Sequence, residues 1–340
     1  MKRKNLNILI PMLAALILVA GIGIYVFTGI KNGAVTFSGI KPVEEMSSYG
    51  KGTITGKWAE GDVEYNGGTY RYNRWIKTYL LMGVDKSGPV TKGVDYLDGG
   101  QTDAMFLLVS DDKNKKISII PINRNTMTAV MMCDREGNDI GKFKLQICLQ
   151  HGYGDGLRNS CQRTVQTVSD LFGGIPIAGY VAMNMDGMYI LNSLAGGVEV
   201  EVLEDVTNPE LGVNLKKGEK KLLNDQEAYA YLRYRTKEFA AANLRLDREK
   251  QYLTGLFDNL NEKAAGDEKA AMNMYDMVED YIVTNVQFDR IVEDLMEYGF
   301  DENNMYEIPG ETMMGKNFEQ FFVDKEGLHD IIMQVLYESV

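Results

Sequence analysis

Residues 102–126, TDAMFLLVSDDKNKKISIIPINRNT, decide the fold. Two apolar runs, AMFLLVS (104–110) and KISIIPI (116–122), flank the polar turn DDKNK. Each run is too short for a helix and bounded by turn-forming residues, which reads as a pair of buried strands. Upstream, YLLMGVD (79–85) has the same character. VEYNGGTYRY (63–72) alternates around Asn66-Gly67-Gly68 and predicts a hairpin. Downstream the period changes to that of helices, over Ser160 to Phe172, Asp186 to Leu194, Leu222 to Tyr234 and Asp247 to Glu262. Further helical patterns cover Lys269 to Tyr281, Phe288 to Tyr298 and Lys325 to Tyr337. VEVEVLED (198–205) is a strand among them, preceded by the helix-ending pair Gly196-Gly197. From Asp301 onward the pattern predicts an edge strand and a final helix. Strands interleaved with helices predict an α/β fold, a three-layer α/β/α arrangement about a mixed central sheet.

The N-terminus carries a different signal. Ile8 to Phe27 is an unbroken run of apolar, Gly or Pro residues preceded by Lys2, Arg3 and Lys4. Its length suits a transmembrane helix, and the basic flank places residues 1–7 in the cytoplasm. The expected order is a cytoplasmic N-terminus at 1–7 and an anchor at 8–27. A stalk at 28–60 and one extracytoplasmic domain at 61–340 follow. The chain holds 36 Lys and Arg against 48 Asp and Glu, a net charge of −12. Such a surface argues against nucleic acid as a partner. Of the three cysteines, Cys148 and Cys161 flank CLQHGYGDGLRNSC and are a candidate disulfide outside the cell, with Cys133 left over.

Within this acidic chain YLRYRTKEFAAANLRLDREKQY (231–252) gathers Arg233, Arg235, Arg245 and Arg248. A solvated helix face is the ordinary explanation. Arg233 and Arg235, however, are two apart and leave a regular helix on different sides. This fits a helix end running into a loop, where guanidinium groups can converge on one anion. Asp85 ends one predicted strand, Asp103 opens the next, and Arg124 follows the third. Ligand crevices in α/β sheets lie at such strand ends. Singly, each could be a turn former, a cap or a surface pair. Together, two carboxylates and several arginines would suit Mg²⁺ and phosphate. His151 and His329 are the only histidines, too few for a His-rich metal site. GYGDG lacks the ending of a phosphate loop, and no serine-hydrolase elbow occurs.

The order of motifs resembles the LytR–CpsA–Psr family of membrane-anchored cell-envelope phosphotransferases. The matching pieces are LLMGVD, the 102–126 stretch, GIPIAGYVAMNMDGMYILNSLAGGVEVEV, KKGEKKLLNDQEAYAYLRYR, LRLDREKQ and YIVTNVQFDRIVEDL, from about Lys77 to Leu295. The variant with Gln101-Thr102-Asp103 and INRNTM resembles a clostridial branch. The resemblance implies that Asp85 and Asp103 bind Mg²⁺, with Mn²⁺ as an alternative. It assigns Arg124, Arg233, Arg235 and Arg245 to a pyrophosphate clamp, with Arg248 and Gln101 beside it, and implies catalytic roles for Asp85, Asp103 and Arg124. The donor would be a glycan on polyprenyl pyrophosphate and the acceptor a peptidoglycan hydroxyl; the protein would sit in the cell membrane by a single pass. Four positions depart from the family pattern: Gln101 for an arginine, Asn125 for an aspartate, Ala242 for an aspartate and Glu249 for a glutamine. The first two keep two further readings open: a non-catalytic or regulatory binder of lipid-linked glycan, and a pyrophosphatase in which water replaces the sugar.

Overall fold

The computed structural model describes residues 62–94, 97–236, 241–264, 276–286 and 302–340. The expected anchor and stalk lie outside the described residues, as does the helix expected at Phe288 to Tyr298. Among the described residues no helix is long and apolar enough to cross a membrane.

The first strands are β1 (Asp62–Tyr65), β2 (Gly68–Tyr72), β3 (Ile76–Val84), β4 (Thr102–Asp111) and β5 (Lys116–Pro121). A hairpin follows, β6 (Met127–Cys133) and β7 (Asp139–Gln146), then a 3-10 segment at Ile147–Tyr153 and helix α1 (Arg158–Leu171). Next come β8 (Gly179–Asn184), α2 (Gly187–Ala195), β9 (Val198–Glu201), β10 (Val206–Asn208), β11 (Val213–Leu215) and β12 (Lys220–Leu223). Helices α3 (Asp225–Arg233) and α4 (Ala241–Ala264) precede β13 (Ile282–Thr284). The chain closes with β14 (Gly310–Met314), β15 (Glu319–Val323), α5 (Lys325–Leu336) and β16 (Tyr337–Ser339).

The central sheet is mixed, in the order β13-β8-β3-β4-β5. β3 and β8 run parallel, and the other neighbours are antiparallel. Every residue of β4 from Thr102 to Ser110 is buried, so both faces of the sheet are covered. That is why its apolar runs are continuous rather than alternating. The same core takes in Val168 of α1, Leu191 of α2, Tyr231 of α3, Leu253 of α4 and Ile332 of α5. The mixed α/β class is as expected.

Local chemistry explains most boundaries. Asn66 and Gly67 both take positive φ, 48° and 80°, which closes the β1–β2 hairpin with the right twist. Gly196 ends α2 at φ 76°. Asn224 and Glu227 form a reciprocal capping box at the start of α3. That box corrects the expectation of a helix from Leu222: Leu222 and Leu223 finish strand β12 against β9. Helix α4 begins at Ala241, six residues before the expected Asp247. The C-terminal region holds the final helix α5 but a two-stranded hairpin, β14–β15, in place of one edge strand. β16 returns to pair with β2, joining the two ends of the domain.

Candidate active site

The site forms where β3 and β4 end and begin. Gly83 pairs with Ala104 and Val84 with Thr102, leaving Asp103 as the extra residue of a bulge. A bulge re-aims its extra side chain, and here it turns the Asp103 carboxylate into the interior. Gly100, at φ 78°, makes the preceding turn; a Cβ there would meet Lys86, Val84 and the Asp85 carboxylate at 2.7–3.0 Å. Glycine is needed for the close approach as well as for the backbone angle. The turn folds back so that Asp85 N donates to Gln101 O at 2.9 Å and the Asp85 carboxylate accepts from Gln101 N.

Asp103 is 2% exposed. Arg124, three residues beyond the end of β5, sets Nη1 2.9 Å from Asp103 Oδ1 and donates Nη2 to Gln101 Oε1 at 2.7 Å. Arg245, on α4, donates Nη2 to the Asp103 carbonyl at 2.6 Å and Nε to Glu249 at 2.9 Å. Burial raises the Asp85 carboxyl to about 8, helped by the neighbouring charge of Asp103 and opposed by Gln101 N, Arg124 and Arg233. Burial also raises Asp103, against Arg124, Arg245, Arg233 and Arg235. For Arg124, burial works against the charge, but Asp103, Cys148 and Asp85 outweigh it and hold the guanidinium protonated. The four arginines therefore share one carboxylate as their common electrostatic partner, although they come from three distant segments.

Arg233 ends α3 and lies over the Tyr229 ring at 4.8 Å, with Tyr229 stacked on Tyr189 of α2 at 4.7 Å. Tyr234 leaves the helix at ψ 133°, so Arg235 departs in a new direction, as its spacing from Arg233 required. Arg235 Nη2 reaches Glu319 Oε2 on β15 at 3.1 Å.

Two expectations need correction. Arg248 does not face this centre. It is fully buried, donates Nε to Tyr231 O at 2.7 Å, binds Tyr234 O and pairs with Glu204, so it closes the C-terminus of α3. The Gln101 carbonyl oxygen accepts from Arg124 Nη2, which steadies that guanidinium. Cys148 and Cys161 are free thiols, as is Cys133. Cys148 Sγ accepts from Arg124 Nη2 at 3.4 Å, and Cys161 Sγ lies 3.8 Å from His151 Nε2. Lys86, a nearby base, is tied to Asp98. Glu249 holds Arg245 at the i,i+4 spacing of an ordinary helix pair, whereas Glu319, which holds Arg235, carries no local sequence signal of that role.

Several buried polar atoms in this cluster have no hydrogen-bond partner of normal geometry: both Asp103 oxygens, Arg124 Nε and Arg245 Nη1. Such atoms are costly unless a ligand satisfies them. Acceptors that want a cation stand beside donors that want an anion. Among the described residues no group of three or more His, Cys, Asp or Glu side chains gathers for a metal. Two carboxylates, Asp85 and Asp103, are as many as Mg²⁺ would ask of the protein if water and phosphate oxygens completed its sphere.

The sequence profile of the LytR_cpsA_psr family matches residues 59–335. The chain belongs to that family. One relative is the Bacillus subtilis (strain 168) polyisoprenyl-teichoic acid–peptidoglycan teichoic acid transferase TagV, 31% identical over 187 residues. That match covers 54% of this chain and 43% of TagV, less than half of the relative's length. The transferase TagU of Halalkalibacterium halodurans is 27% identical over 249 residues, covering 73% of this chain and 74% of TagU. The crystal structure of B. subtilis TagV superposes with a TM-score of 0.59 at 24% identity, over 76% of this chain and 95% of that one. That likeness is one of fold.

Proposed function

We propose that this LytR_cpsA_psr protein transfers a glycan phosphate from a polyprenyl-pyrophosphate-linked donor to a peptidoglycan hydroxyl. The observation that carries the reading is a buried cluster in which Asp103 Oδ1 has the Arg124 ion pair and no hydrogen bond, Asp103 Oδ2 has no hydrogen bond, and Arg124 Nε and Arg245 Nη1 have no acceptor. A metal–pyrophosphate ligand satisfies both kinds at once. The relatives TagV and TagU are polyisoprenyl-teichoic acid–peptidoglycan teichoic acid transferases, which supports the same donor and acceptor classes here.

In this reading Asp85 and Asp103 hold Mg²⁺ (Mn²⁺ as substitute), which when bound supplies positive charge to the pyrophosphate oxygens. Arg124, Arg245, Arg233 and Arg235 would spread the charge of the pyrophosphate. The acceptor oxygen forms a new bond to the glycan-side phosphorus as the bridging bond to polyprenyl phosphate breaks. Polyprenyl phosphate leaves with the bridging oxygen and takes up the proton that the acceptor hydroxyl loses. Such a reaction depends on placement and charge neutralisation, so a site of arginines with no nucleophilic side chain is sufficient. Ile8 to Phe27 anchors the chain in the cell membrane, with the domain on the outer side where donor and acceptor meet.

The test is full-length protein in detergent with polyprenyl-pyrophosphate-linked glycan, peptidoglycan and Mg²⁺. Glycan linked to peptidoglycan by phosphodiester is the expected product. Free phosphorylated glycan would instead make the protein a pyrophosphatase, and binding without either product would make it a binder.

A further inference from the structure

We propose that Glu319 is the positioning residue of Arg235, and that the C-terminal hairpin β14–β15 is thereby a working part of the anion site. The inference rests on the reading of the arginine cluster as a phosphate clamp.

Arg235 lies beyond the last residue of α3, so helix geometry does not fix its direction, and its side chain is 32% exposed. Glu319, at the start of β15, has a side chain only 5% exposed. Its Oε2 lies 3.1 Å from Arg235 Nη2 and 3.4 Å from Asn125 Nδ2. Asn125 follows Arg124 directly in sequence, and the hairpin is clipped onto it by further bonds. Phe321 N donates to Asn125 O at 2.9 Å. Gln146 Nε2 bridges Asn125 Oδ1 (3.0 Å) and Glu319 O (2.8 Å). Thr126 and Phe321 add a parallel bridge.

The carboxylate is therefore seated by one arginine-bearing segment and reaches out to another. A buried carboxylate with a charge-assisted bond holds a long guanidinium side chain in one direction, where otherwise it would sample many rotamers. Because Glu319 takes Arg235 by Nη2, the remaining donors of the fork stay available to a phosphate. The burial of Glu319 sets it behind the clamp, which separates positioning from competition with the ligand. The amide at Asn125 suits the arrangement: it donates to Glu319, where a second carboxylate would repel it.

The test is a double-mutant cycle on the full-length protein in detergent, with inorganic pyrophosphate and Mg²⁺ as probe and calorimetric Kd as readout. Glu319→Gln is expected to weaken binding about tenfold, the size of one lost charge-assisted contact. In an Arg235→Gln background the same substitution should change nothing further, because its effect passes through Arg235. Glu319→Asp, which keeps the charge but draws it back, should fall between wild type and Glu319→Gln and guards against a variant that fails to fold. Equal weakening in both backgrounds would make Glu319 a structural residue and overturn the proposal. Unchanged or tighter binding by Glu319→Gln would overturn it too, the latter showing a competitor for the anion. If wild type takes up no pyrophosphate at all, the clamp reading fails along with it. Binding by wild type without coupling defeats the Glu319 role alone.

Discussion

At the scale of single residues, the four arginines of 231–252 look alike in sequence and do different work. Arg233 and Arg235 flank a helix end, and their spacing gave that away. Arg245 and Arg248 lie three apart on α4, and nothing local distinguishes them. Only the packing of α4 across the end of α3 sends Arg245 to Asp103 and Arg248 to the carbonyls of Tyr231 and Tyr234. Arg248→Ala should therefore lower folding stability by about 3–5 kcal/mol, as loss of a buried ion-pair partner does, measured by denaturant unfolding. Arg233→Ala should leave the melting temperature nearly unchanged while turnover falls by at least about 100-fold, the scale of one lost electrostatic contact to the transition state. Reversal of the two phenotypes would reassign both residues. Glu249 makes a pH prediction. Burial lifts its carboxyl from the usual 4.5 to about 7 against the pull of Arg245. Between those values the folded protein holds a proton that the unfolded chain has lost, so stability falls as pH rises through that window. Relative to wild type, Glu249→Gln should gain on the order of 1–3 kcal/mol between pH 4.5 and 8. A pH-independent difference would show that Glu249 is ionised throughout.

At the scale of elements, legibility followed burial. β3, β4 and β5 are buried on both faces, so each reads as an apolar run, and the mixed α/β class follows from them. The β6–β7 hairpin did not stand out. β7 is half-exposed, and its alternation of Lys142, Phe143, Lys144 and Leu145 is a short signal beside the Gly-rich stretch that follows. The hairpin β14–β15 was hidden for another reason. Its partner is Asn125, 194 residues from Glu319, and no local pattern encodes a contact of that range. The placing of the Asp85 carboxylate depends on an equally small element, the turn at Gly99-Gly100. A methyl group at position 100 must displace Lys86, Val84 or the Asp85 carboxylate from 2.7–3.0 Å, at a backbone angle alanine disfavours. Gly100→Ala should cost about 1–3 kcal/mol of stability and should raise the Mg²⁺ concentration needed for half-maximal turnover. A variant with wild-type metal dependence would show that Asp85 does not need this turn.

For the whole molecule, the site and the fold are one object. Its side chains come from β3, β4, the end of β5, the end of α3, α4 and β15, so only the complete sheet with its helices and C-terminal hairpin brings them together. An acidic chain of net charge −12 thereby concentrates four guanidinium groups around two carboxylates. The arrangement is incomplete by itself: Asp103 keeps two buried oxygens without hydrogen-bond partners, and Asp85 feels its charge. A cation held by the two carboxylates would relieve both and, binding only the folded chain, would stabilise the fold by linkage. At 100 times its dissociation constant a ligand adds about 2.7 kcal/mol. For a domain of this size that is a rise in melting temperature on the order of 5 °C. Millimolar Mg²⁺ should produce that rise in wild type and EDTA should remove it. Asp103→Asn should abolish the response, since an amide keeps the shape of the carboxylate and gives up the charge. Calorimetric melts with and without Mg²⁺ read this directly, with no substrate needed. An equal upward shift in wild type and Asp103→Asn would place the cation elsewhere and leave the buried carboxylates as counter-ions to the arginines alone.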